Sequence, residues 1–251
     1  MKTIRIEDMN WVDIKEAINN GFTTVVIGVG SNEQHGPHLP TKTDSLIGDA
    51  MAHSFALKWG NALQAPTISV GCSDHHMDFP GTITLKKETL KAILADYIES
   101  LIRHGFKTII LLPSHGGNFS TVRELVEEYK KNSGKARVVG IFDMMGFIEM
   151  CAKLGKEFNI TQEEAGAHSG DTETSAMLYL AKDLVKKERF QPGYVKIFDD
   201  KAEEIVMTKG VKGLSEIGVI GDPRKATGDK GKIYLEKTVD FCVAEIKKML
   251  K

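Results

Sequence analysis

Short runs of apolar, mostly β-branched residues alternate along the chain with longer stretches whose apolar positions recur at helical spacing. Residues 23–29 (TTVVIGV), 107–112 (KTIILL) and 136–142 (ARVVGIF) are apolar without strict alternation, which predicts strands covered on both faces. Residues 86–103 set Leu90, Ile93, Leu94, Tyr97, Ile98, Leu101 and Ile102 on one stripe that stops at Gly105, the pattern of a crossover helix. Residues 44–59, 121–131, 172–182 and 232–249 carry similar helical patterns. The alternation predicts an α/β protein, a three-layer α/β/α sandwich with a mostly parallel central sheet. Residues 195–221 fit neither period and are expected to form an irregular or antiparallel addition. No repeat or Pro/Ser-rich linker interrupts the chain, so residues 1–251 are expected to make one domain.

Composition narrows the partners. A formal net charge of -1 supplies no basic face for nucleic acid or an anionic membrane, which leaves a small molecule as the expected partner. The N-terminus lacks the continuous apolar stretch of a signal peptide, and no later segment reaches the length of a membrane span, so a soluble cytoplasmic protein is expected. Cys72, Cys151 and Cys242 lie far apart without a CxxC pair, which indicates neither a disulfide framework nor a thiolate zinc site.

The histidines change the picture most. Six of the eight (His35, His38, His75, His76, His115, His168) fall in segments that follow strands or precede helices, where open α/β sheets bind their ligands. Two strands run directly into such segments, GSNEQHGPH at residues 30–38 and PSHGGN at residues 113–118. In an extended segment, Glu33 and His35 point the same way. Each candidate taken singly has a plainer explanation: Glu33 with His35 as a hydrogen-bonded pair, Asp44 as a helix cap, His115 as incidental to a glycine turn, and the carboxylates of HSGDTE (168–173) as favouring a helix N-terminus. Four such segments in one chain argue for a common site. Mixed histidine and carboxylate donors without cysteine suit catalytic zinc, manganese or ferrous iron, and a carboxylate able to bridge two ions implies a paired-metal hydrolase.

GSNEQHGPHLP with Asp44, His76 before FPGT (79–82), HGGN (115–118), HSGDTETS (168–175), and GVIGDP (218–223) with Ala226 and Thr227 together resemble the signatures of the creatininase family, in the family's order and over residues 28–231. The resemblance implies two divalent ions (Zn, Mn or Fe), one held by Glu33, Asp44 and His115 and the other by His35, Asp44 and Glu173. It also implies a bridging hydroxide that cleaves a C–N amide bond of a cyclic amide or formamide, a bond other than an ordinary peptide bond. By the same resemblance His168 moves a proton, a task that suits an imidazole. His76, Gly116 and Gly117 would line the substrate pocket, and the chain would assemble as a homo-oligomer, often a hexamer in this family.

Creatinine-hydrolysing members carry a glutamate two residues after the matched histidine, where this chain has Gly117. They also carry tryptophans that close over the ring, whereas Trp11 and Trp59 lie outside the motif segments. Met145 and Glu164 stand near the closing positions. This chain is closer to members that open or trim other amides, including a formamide deformylase and a peptidase of peptide maturation. Creatinine amidohydrolase proper, or a family member turned binding subunit, are the alternatives. A dinucleotide fingerprint fails because the third glycine of GxGxxG falls on Glu33, and GCSDH at residues 71–75 misses the GxSxG elbow.

Overall fold

The computed structural model describes residues 2–131 and 136–251. In chain order the elements are α1 (Trp11–Asn19), β1 (Thr24–Val29), α2 (Thr43–Trp59), β2 (Ala62–Gln64), α3 (Lys87–His104), β3 (Thr108–Pro113), α4 (Phe119–Lys131) and β4 (Arg137–Gly140). They continue with α5 (Met144–Lys156), α6 (Gln162–Ala165), α7 (Asp171–Leu180), α8 (Asp200–Lys209) and α9 (Gly228–Met249). The four strands are all parallel, in the order β2-β1-β3-β4. The predicted crossover helix is α3, and it ends as the sequence requires. Gly105 takes a left-handed φ of 104°, and the Phe106 N–H returns to the Leu101 carbonyl at 3.1 Å.

Alternate strand residues face opposite layers. Val25, Ile27, Val29, Ile109 and Leu111 pack with Leu90, Leu94 and Ile98 of α3 and Val122 and Leu125 of α4. Val26, Ile110 and Leu112 pack with Met51 and Phe55 of α2 and Val239, Val243 and Ile246 of α9. Both faces are therefore apolar, which is why these strands lack polar alternation in the sequence.

Residues 195–221 depart from expectation. They contain α8, which buries only Ala202 and Val206, an apolar stripe too thin to be read in the sequence. The antiparallel element expected there is a single bridge, His168 with Ile220. Strand β2 is three residues long and went unread for that reason. Among the described residues no helix is long and apolar enough to cross a membrane.

This topology places a crevice. From β1 the chain goes outward to β2 and then to β3 on β1's other side, so β1 and β3 are neighbours whose connections leave in opposite directions. In open α/β sheets that switch point, at the carboxyl ends of the strands, is where ligands bind.

Candidate metal centre

Both predicted segments leave the sheet at this switch point. After Val29 the chain runs through Gly30, whose missing Cβ would lie 2.7 Å from the Cα of Ser45; a side chain there would push α2 off the strand end. That close approach brings Asp44, in the first turn of α2, beside Glu33 and His35. After Pro113 the chain delivers His115, and the first turn of α7 delivers Glu173 from the opposite side.

The carboxylate of Asp44 sits between two groups of donors. Its Oδ2 is 3.3 Å from His115 Nδ1, which in turn is 3.1 Å from Glu33 Oε2. Its Oδ1 is 3.2 Å from His35 Nε2, which lies 3.7 Å from Glu173 Oε2. Two more histidines border Glu33 Oε1: His76 Nε2 at 3.2 Å and His168 Nδ1 at 3.6 Å. Ligand atoms of Glu33, His35 and Asp44 fall within 4.8 Å of one another, as do those of His35, His168 and Glu173 and of Glu33, His76 and His168. All seven predicted polar side chains are brought together. Gly116 and Gly117 line the same cavity of about 510 Å³.

The outer nitrogens of the histidines are fixed by the backbone. His115 Nε2 meets the Cys72 carbonyl at 2.9 Å, His35 Nδ1 the Glu33 carbonyl at 3.1 Å, and His168 Nε2 the Gln34 carbonyl at 2.8 Å. In each case the N–H donates outward and the other nitrogen faces the carboxylates, the arrangement that orients metal-ligating histidines. The Ser31 hydroxyl stands 2.9 Å from Glu33 Oε2 and 3.1 Å from Asp44 Oδ2, and the Ser169 N–H donates to Glu173 Oε2 at 2.6 Å. Ser169 reaches this position at φ 56°, a left-handed conformation that a non-glycine residue adopts at a cost.

Burial and mutual charge shift every member. Desolvation works to deprotonate His35, but Asp44, Glu173 and Glu33 outweigh it and push the imidazole up to about 10. His115 behaves alike: burial opposes its charge, and Glu33 and Asp44 hold it well above its ordinary value. Burial tends to raise Asp44, yet His35 and His115 drive it far below the usual carboxylate range. Burial, with Asp44 and Glu33 nearby, pushes Glu173 up to about 7 against the pull of His35 and the Ser169 N–H. Burial and the charge on His35 hold His168 down at about 3, and burial with the surrounding imidazoles holds His76 well below its ordinary value.

This electrostatic pattern tests whether metal fits. Glu33 and Asp44 are fully buried beside Glu173, and among the described residues no lysine or arginine pairs with any of the three. Buried carboxylates need compensating positive charge. Protons on His35 and His115 supply it here, at nitrogens that face shared carboxylate oxygens with their outer N–H groups fixed. A divalent cation meets the same demand with the same donors, so the residues fit one.

Sequence reasoning passed over Ser31 and Gln34. Gln34 is buried, with its amide nitrogen 2.9 Å from His76 Nδ1 and 3.2 Å from the Gly218 carbonyl. The tight EQH spacing was its one signal. His75, left outside the site, stacks on His115 at 5.5 Å and lines the cavity. His38 belongs elsewhere: it bonds Thr174 at 2.9 Å and meets Phe190 edge-on. Met145 lines the cavity, while Glu164 caps α6 and pairs with Lys225 at 2.7 Å. A Cβ on Gly117 would lie 2.0 Å from the Cys72 carbonyl, so this backbone admits no side chain at that position.

The family model for creatininase, described as creatinine amidohydrolase, matches residues 7–246. The mycofactocin precursor peptide peptidase of Mycobacterium ulcerans (strain Agy99) is 30% identical over 90% of this chain and 85% of its own length. Creatinine amidohydrolase of Pseudomonas putida is 25% identical over 95% of this chain and 94% of its own. A solved creatinine amidohydrolase superposes with a TM-score of 0.79 at 26% identity, covering 99% of this chain and 98% of that one. Related structures described as creatininase Mn and as a mutant creatininase of Zn-Zn type each give a TM-score of 0.78 at 25% identity, covering 99% of both chains. In sequence and in fold, this chain belongs to the creatininase family, whose members are hydrolases.

Proposed function

We propose that the chain is a dinuclear metal-dependent amidohydrolase that cleaves a C–N amide bond of a small molecule. Glu33, Asp44 and His115 would hold one divalent cation and His35, Asp44 and Glu173 the other. The observation that carries this reading is Asp44, whose two oxygens face separate histidines at 3.2 Å and 3.3 Å. Solved relatives described with manganese and with zinc support divalent metal of either kind. A cation pair in such a cradle supplies a nucleophilic water at neutral pH and polarises the carbonyl under attack.

The chain's own groups do the rest. Ser31 fixes the Glu33 and Asp44 carboxylates, and the Cys72 carbonyl fixes His115. His168, with its Nε2–H held by the Gln34 carbonyl, presents Nδ1 to the site and carries the proton released by the attacking water to the leaving nitrogen. His76 and the backbone N–H groups of Gly116 and Gly117 orient the carbonyl and stabilise the oxyanion. The water's oxygen ends on the acyl carbon, the C–N bond breaks, and the products are a carboxylate and an amine.

The Gly117 backbone argues against creatinine as the substrate, and the 30% identity to a peptidase brings peptide amides within the class. Metal analysis of purified protein tests the core of the proposal. Two equivalents of divalent metal per chain are expected, with both lost in Asp44→Ala and activity down roughly 10³-fold or more, beyond the 10–100-fold of changes outside the ligand set. Metal-free protein with intact amide hydrolysis would refute it.

A further inference from the structure

The cavity does not end at the cradle. Its lining follows successive turns of α2 from Asp44 through Ile47 to Met51, of α5 from Met144 through Phe147 to Cys151, and of α7 from Glu173 to Ala176, with Leu235 and Thr238 of α9 also bordering it. Asp44 and Met51 are two turns apart on α2, about 10 Å at the α-helical rise. Ile47 and Phe147 are only partly buried although they border the sheet's inner core, because one side of each faces this space. The Tyr234 hydroxyl beside it is engaged by Asp171 at 3.0 Å. Cys151 is buried among these apolar side chains.

Protein interiors are close-packed, and an unfilled space forfeits dispersion contacts where its lining faces it, here chiefly at Ile47, Phe147 and Ile148, with Met51, Cys151, Ala176 and Leu235 buried behind them. An apolar cleft of a few hundred Å³ with polar groups converging at one end is the usual form of a small-molecule site. A molecule the size of creatinine would occupy the cradle and leave the channel empty. We infer that the substrate is an amide bearing an apolar arm of up to about 10 Å, which reaches from the cradle toward the wall formed by α2, α5, α7 and α9 while the amide lies at Asp44. This inference rests on the amidohydrolase reading for the chemistry and on the channel alone for the arm.

The arm can be attached at the acyl carbon or at the nitrogen, and two substrate series separate these cases: linear fatty-acyl amides and N-alkylformamides, each of increasing chain length, with enzyme loaded with zinc or manganese. In one series kcat/KM is expected to rise about 4-fold per methylene, the equivalent of ~0.8 kcal/mol per buried CH₂, until the channel is full. Cys151→Phe shortens the channel and should bring the plateau to shorter chains; Ile148→Phe, at a half-buried position, serves if the first variant does not fold. Calorimetric binding of linear carboxylates and alkylamines, the products, is measured in parallel. Affinity that rises with length while neither series, nor cyclic amides or short peptides assayed beside them, is cleaved supports the channel and refutes the amidohydrolase reading. Short amides cleaved as fast as long ones, with product affinity independent of length, would overturn the channel and leave the chemistry standing.

Discussion

Asp171 and Glu173 occupy the same first turn of α7, yet they live in opposite electrostatic worlds. Asp171 accepts from Lys230 Nζ at 2.6 Å and from the Tyr234 hydroxyl at 3.0 Å, so a fixed cation and a fixed donor complete it. Burial still pushes its carboxyl above the ordinary range, and Lys230 and Tyr234 pull against that. Glu173 faces His35 and the Ser169 N–H, and among the described residues the only positive charge beside it is that of His35, which can give up its proton. Self-contained carboxylates hold folds together. Carboxylates whose counter-charge is exchangeable are where a cation can enter, and the cradle has three of them.

The difference can be broken most severely at His168. It lies within ligand distance of His35 and Glu173, so geometry alone would let it bind metal. In the proposed role of proton carrier it would be dispensable for metal: His168→Ala should keep two equivalents while turnover falls roughly 10²–10⁴-fold. Metal loss in that variant would make it a ligand, and unchanged turnover would remove it from the chemistry.

The next largest effect is on stability, at the self-contained pair. Asp171→Ala strands Lys230, which is only 8% exposed, and removing one partner of a buried pair costs about 3–5 kcal/mol. The double variant Asp171→Leu, Lys230→Met removes both charges and should recover most of that loss in urea denaturation. If the single variant unfolds at the wild-type urea concentration, the pairing contributes nothing.

The pattern of apolar residues revealed α3 and the three longer strands because each buries a full face. It missed β2 and α6, which are too short, and α1, α5 and α8, which bury too few positions, to leave a periodic trace. The cradle was legible for a different reason: Glu33, His35, Asp44 and His115 sit at element ends where side chains must converge. What could not be read was which of two carboxylates two residues apart would be neutralised by a lysine some 60 positions away, since that partner is set by the packing of α7 on α9. Ser31 lies inside GSNEQHGPH, yet nothing in that segment tells which carboxylates a loop serine will hold. In the fold it bridges the carboxylates of Glu33 and Asp44. Ser31→Ala should weaken metal affinity about 10–100-fold without emptying the site under excess metal, as titration with a chelator would register.

The smallest effect expected comes from a third carboxylate, Asp49 on α2, which lies between the extremes. It accepts a forked pair from Arg5 at 2.7 Å and 3.0 Å, together with Gln64 at 2.8 Å and Thr67 at 3.1 Å, and so ties the N-terminal segment to α2 and the end of β2. Partial burial tends to raise its pKa, but the hydrogen bond and charge of Arg5, with Thr67 and Gln64, lower it overall. A carboxyl whose folded pKa is depressed stabilises the fold above its unfolded value, near 4, and loses that contribution as pH falls through the folded value. Asp49→Asn should therefore cost about 1 kcal/mol at pH 7, the scale of a partly exposed ion pair, and progressively less as the pH is lowered below 4. Urea denaturation of both proteins at pH 7 and pH 3 measures this directly, and a difference that stays constant between the two would assign the effect to lost hydrogen bonding, not to charge.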